Sequence, residues 1–255
     1  MGLAKQELIR YQEFEPVIEW LEENYEYDFE FEGEGWEDAL AYYEESMEEE
    51  MRREAELDAL EQYSYYIYLN FKDINDKFHM NLKELRLYFE SIYVQHPSET
   101  LCKMVFAQSV TLLEVYLEEL TKKLIAYNDY FLGNTLKNVS PFNDSTFKIS
   151  VDFLEEDGVR KFVFKNLDNH LYHNIPKTQK ILSGVIGHPL ALDIKEICKI
   201  TKNRHDVVHR DGKDKNGEII SLDFEYVKDS LDIIESFANQ LMRSIEKISL
   251  ENNLL

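Results

Sequence analysis

Residues 101–127 read LCKMVFAQSVTLLEVYLEELTKKLIAY, and Phe106, Val110, Leu113, Leu117, Leu120, Leu124 and Tyr127 step by four and three in alternation. Those steps put seven large apolar side chains on one stripe of a helix of about seven turns. Ser98, followed by Glu99, stands where such a helix begins. The final text has the same character: Val227, Leu231, Ile234, Ala238, Leu241, Ile245 and Ile248 repeat the alternation behind Asp223, a capping residue. Two long stripes of this kind bury against each other or against a second copy. The spacing predicts a mainly α protein.

Working outward, the periodicity predicts a helix over 6–25 with Pro16 as a kink or break, a turn or poorly ordered stretch over 22–38, and a Glu-rich helix from Trp36 into the fifties. Tyr63–Leu69 is ambiguous between a strand and a buried helical turn. Leu82, Leu85, Phe89 and Ile92 give a helical face over 81–94, with Asn81 as its cap, and His96-Pro97-Ser98 breaks the chain. The domain boundary is placed there. Residues 1–97 form an acidic, mainly helical extension and 98–255 a helical domain. Phe147–Phe153 and Val159–Phe164 flank Asp157-Gly158, which predicts a β-hairpin inserted at about 146–165. A short helix over 175–186 ends at Gly187-His188-Pro189, and Ile194, Ile197 and Thr201 carry another into Arg204.

Charge is segregated along the chain. Residues 1–60 hold 21 Asp or Glu against 4 Lys or Arg, a balance of −17 out of the chain's −22. Between Lys199 and Lys215 the sign reverses, with six Lys or Arg against three Asp. A nucleic-acid substrate is therefore not excluded by the bulk acidity. The acidic front is expected to restrain a polyanion by mimicking its phosphates, or else to serve as a solvated extension or docking module. Two cysteines in apolar helical text read as buried thiols rather than a disulfide framework or a thiolate metal site. Without a leader-like N-terminus or an 18-residue apolar run, a soluble, cytoplasmic protein with no membrane partner is expected. A glycine-rich phosphate loop is missing from the sequence.

The chemistry concentrates in Arg204-His205-Asp206-Val207-Val208-His209-Arg210-Asp211-Gly212. An arginine offers phosphate oxygens a fixed fork of donors, and an imidazole moves a proton near neutral pH. Arg204 suits charge stabilisation at phosphorus, and His209 suits a base for a 2′-hydroxyl. Asp206 can pair with Arg204 or Arg210, and Lys202, Arg210, Lys213 and Lys215 are candidate RNA-binding cations. His205 and His209 have the four-residue spacing of a metal pair, but Asp206 stands where H-E-x-x-H has Glu, so no metal and no cofactor are predicted. Residues five apart on an ideal helix point about 140° apart. A working pair then needs a helix end before His209, a long reach by Arg204, or a second subunit.

Arg204, four residues and His209 match the R-x4-6-H motif, and with RHDVVHRDG and the amphipathic helix after it the sequence resembles the HEPN superfamily, in its RiboL-PSP-HEPN-like branch. The resemblance covers about 98–252. It implies a HEPN-like helical bundle and a catalytic Arg204–His209 pair. The implied activity is a metal-independent endoribonuclease that leaves 2′,3′-cyclic phosphate and 5′-hydroxyl ends, as a toxin or effector of prokaryotic defence. It further implies a homodimer whose motifs share a groove, and an antitoxin, sensor, nucleotidyltransferase or ATPase as partner. Glu114, in text resembling the first core helix, is by the resemblance the acidic group that orients Arg204 or His209, while its place at the border of the apolar stripe also fits an ordinary boundary carboxylate. The alternative within the family is a non-catalytic dimerisation, nucleic-acid-binding or regulatory module.

Overall fold

Helix α4 (Glu99–Tyr127) is the hub of the second of two units, residues 62–255. It starts where Ser98 Oγ accepts the Leu101 amide hydrogen, as the capping text requires. Around it pack α3 (Phe71–Gln95), α5 (Asp129–Asn138), α6 (Gly158–Leu167), α7 (Ile175–Ile186), α8 (Lys195–His209) and α9 (Phe224–Asn252). The computed structural model describes residues 3–144, 157–210 and 212–252.

Surrounded on so many sides, α4 buries far more than its stripe: Phe106, Val110, Leu113, Leu117, Leu120 and Leu124 are fully buried, and so are Ser109 and Lys122. By length and composition α4 is apolar enough to cross a membrane, and here that apolarity faces other helices. The expected stripe of α9 is buried from Val227 through Ile245 and packs on α3, α4 and α8. Tyr93 and Phe224 stack at 4.7 Å between ring centroids, fastening the start of α9 to α3.

The hairpin expected at about 146–165 is overturned. Gly158–Leu167 is helix α6, no strand occurs among the described residues, and the other arm, 147–153, lies outside them. Asp157 does take the left-handed conformation that an Asp-Gly turn uses, with φ of 62°. The chain after it winds into a helix that buries Val163, Phe164 and Leu167. Phe164 meets Tyr66 edge to face at 5.6 Å, and Arg160 donates to Asp157 Oδ1 (2.8 Å) and to Asp129. Apolar residues at 159, 162–164 and 167 fit a helical face as well as an alternating one, and packing against the hub decides between them.

The other unit, residues 1–61, has its own core. Ile18 and Leu21 of α1 (Leu3–Asn24) and Trp36 and Ala39 of α2 (Trp36–Tyr68) form it. Phe14 and Phe31 meet Trp36 edge to face at 5.7 and 4.9 Å. Pro16 lies within α1 without ending it. Gly35, at φ of 78°, makes the turn into α2, and a Cβ there would sit 2.8 Å from the Asp28 carbonyl oxygen. Of the residues read as ambiguous, 63–69, all but Leu69 are the last turns of α2. The division between the units falls at 61/62. Asn81 lies inside α3, which begins at Phe71 with Asn70 as its cap and packs on α4 and α9.

Candidate active site

α8 presents a buried stripe of Ile197, Ile200, Thr201 and Val207. Arg204 falls on that stripe, between Thr201 and Val207, so its stem is half-buried and its Nε is buried with no hydrogen-bond partner. His205 and His209 lie on the outer side, exposed, with ring centroids 4.7 Å apart. The helix continues through His209 and takes Arg210 as its C-cap. Of the three routes that would bring Arg204 to His209, an early helix end is therefore removed. Among the described residues no hydrogen bond or ion pair joins the two.

Asp206 organises the end of the helix. Its side chain is 3% exposed and accepts from Arg210 Nη1 at 2.8 Å, while its carbonyl oxygen takes the amide hydrogens of Arg210 (3.0 Å) and Gly212 (3.2 Å). Asp206 thus pairs with Arg210, not Arg204. Gly212, at φ of 79°, turns the chain back, and Ile220 donates to its carbonyl oxygen at 2.8 Å. The charged loop beyond is tied by Asp214, whose Oδ1 accepts from the backbone of Asn216 (2.8 Å) and Glu218 (2.9 Å). Lys202, Lys213 and Lys215 are exposed around this end, and the Arg210 side chain is 37% exposed.

Glu114 finds a different partner from the one expected. His173 Nδ1, in the segment between α6 and α7, stands 2.8 Å from Glu114 Oε1, an ion-pair distance at which the ring N–H is not aligned for a hydrogen bond. The two side chains are 27% and 21% exposed, so the pair borders solvent. Among the described residues Glu114 bonds to neither Arg204 nor His209.

Three residues beyond the motif shape its surroundings. Asn203 donates to Tyr226 Oη at 2.7 Å, Tyr226 packs on Phe106 at 5.7 Å, and the Lys103 side chain lies against Gly212. Tyr226 thus bridges Asn203 to Phe106 while Lys103 reaches Gly212, so α8 runs antiparallel to α4 with its C-terminal end beside the first turns of α4. Lys103, in an i,i+4 pair with Glu99 at 3.0 Å, adds a cation near the motif that no local pattern announces. Among the described residues no three His, Cys, Asp or Glu side chains converge as metal ligands. Compared with protein-family models, characterised proteins and solved structures, the chain has no match.

Proposed function

We propose that this protein is a cytoplasmic, metal-independent endoribonuclease of HEPN type, acting as a toxin or effector in prokaryotic defence and restrained by a partner such as an antitoxin, sensor, nucleotidyltransferase or ATPase. The observation that supports it is that Arg204 keeps a buried Nε without a hydrogen-bond partner, while the exposed His209 ring makes, among the described residues, a ring contact with His205 alone. His209 takes the proton of the 2′-hydroxyl as its oxygen bonds to phosphorus and the bond to the 5′-oxygen breaks. Arg204 holds the phosphoryl oxygens through that change, and the exposed lysines 202, 213 and 215 hold flanking phosphates. Because the two groups leave α8 about 140° apart, one scissile phosphate takes its arginine from one copy and its histidine from another.

The non-catalytic module is the second reading, favoured by the same angle and by the pairing of Arg210 with Asp206. End-labelled single-stranded RNA, tRNA and mRNA incubated with purified protein in EDTA decide between them. Cleavage to cyclic-phosphate ends, reduced about a hundredfold or more by Arg204→Ala and by His209→Ala, is the predicted outcome. RNA bound and left intact favours the module.

A further inference from the structure

Metal-free cleavage needs a third group, one that gives a proton to the departing 5′-oxygen. Neither Arg204 nor the basic His209 supplies it. From the His173–Glu114 pair and the direction of α4 relative to α8, we infer that His173 is the proton donor of the site, with Glu114 as its positioning residue. This assignment rests on the nuclease reading given above.

Three observations carry it. First, His173 Nδ1 faces Glu114 Oε1 at 2.8 Å while the pair stays partly exposed, so Nε2 is the ring atom left for a substrate. A carboxylate on one ring nitrogen fixes the orientation of an imidazole and offsets charge as the other nitrogen exchanges a proton. Second, Arg204 lies on the inner stripe of α8, on the side of the helices against which it packs, and α4 and α7 are both among them. His173 immediately precedes Asn174, the cap of α7. Third, the helices run in opposite directions, and helical side chains lean towards their own N-terminus. Arg204 therefore leans along α4 towards Glu114, and Glu114 leans back towards Arg204. With Asn203 near the level of Phe106 through Tyr226, the gap along α4 from there to Glu114 is about 12 Å, just over two turns, which the converging side chains shorten. Arg204 Nε, at one end of this gap, is buried without a hydrogen bond.

The 2′-oxygen bonds to phosphorus and its proton passes to His209; the bond from phosphorus to the 5′-oxygen breaks, and that oxygen takes the Nε2 proton of His173. Glu114 touches no reacting atom.

The test uses the full chain and two RNA oligonucleotides that differ at one linkage, a normal phosphodiester or a 5′-bridging phosphorothiolate whose thiolate leaves without a proton. His173→Ala and His173→Gln should each slow normal cleavage about a hundredfold or more and leave the phosphorothiolate within a few-fold of wild type. His209→Ala should slow both substrates alike. Glu114→Gln should follow the His173 pattern more weakly, and Glu114→Asp should recover part of the loss. Equal losses on both substrates, with helical circular dichroism retained, or no loss on normal RNA, would overturn the assignment while leaving the nuclease in place. If the wild type cleaves neither oligonucleotide, the nuclease reading fails and the assignment goes with it.

Discussion

His170, 9% exposed, shares Nε2 with Thr178 Oγ1 at 2.9 Å, and that hydroxyl donates onward to the Tyr172 carbonyl oxygen at 3.2 Å. The hydroxyl can then only accept from the ring, so the neutral imidazole carries its proton on Nε2 and keeps Nδ1 bare and buried. Burial first, then Lys177 and His173, lower its pKa to about 4. An unfolded histidine titrates near 6.5. Below that pH the unfolded chain takes up a proton that the folded one resists, so stability is complete above about 6.5 and is lost as pH falls towards 4. Urea unfolding should show the wild type losing about 2–3 kcal/mol more than His170→Asn between pH 7 and pH 4; parallel pH profiles would remove His170 as the cause. At this scale the sequence was legible in residue type but not in direction. Arg204 and His209 are identifiable as chemistry from their spacing, whereas the inward turn of Arg204 depends on α8 burying Thr201 and Val207 on the same side. His173 was not legible at all, because its partner Glu114 is brought to it only by tertiary packing.

Lys122 shows what a helix can hold when neighbours enclose it. Its side chain is 0% exposed, donates to Glu118 at 2.6 Å and to Asp168, and its ammonium stands 5.6 Å from the Tyr66 ring centroid. One turn apart, Lys77 pairs with Glu119 at 2.7 Å and Lys123 donates to the Tyr66 carbonyl oxygen at 3.1 Å. Burial pushes the Lys123 pKa down, and the Glu119 hydrogen bond raises that of Lys77. Replacing Lys122 with Ala opens a void and strands two carboxylates, one of them 43% exposed and so partly relieved by water. Thermal or urea unfolding should register a loss of about 2–4 kcal/mol, with Lys122→Met losing less because it fills the space. A loss below half a kilocalorie would mean that the pair is as dispensable as a surface one. The stripes of α4 and α9 were readable because their steps admit only a helix, but the polar layer at the end of α4 was not, since Glu118, Glu119, Lys122 and Lys123 look like an ordinary solvated face. The helix α6 was misread for a related reason: ten residues with a left-handed Asp157 suit a strand or a helix until a partner is present.

The molecule separates its charge as it separates its cores. The unit of residues 1–61 encloses Trp36 among aromatic rings and carries most of the net negative charge, and the unit of residues 62–255 carries the motif, with its exposed cations. That division was visible in the composition, while its boundary was not, because α2 runs unbroken through it. On the proposed reading, Arg204 from an inner stripe and His209 from an outer face are brought to one phosphate by a second copy. Closed two-fold pairing supplies both groups twice over. Mixing the Arg204→Ala and His209→Ala proteins tests this most directly. After exchange of subunits, half the dimers are mixed and each keeps one intact site, so EDTA-resistant RNA cleavage should return to about a quarter of the wild-type rate from two inactive proteins. A mixture as inactive as its components, in dimers shown to exchange, would contradict the shared site.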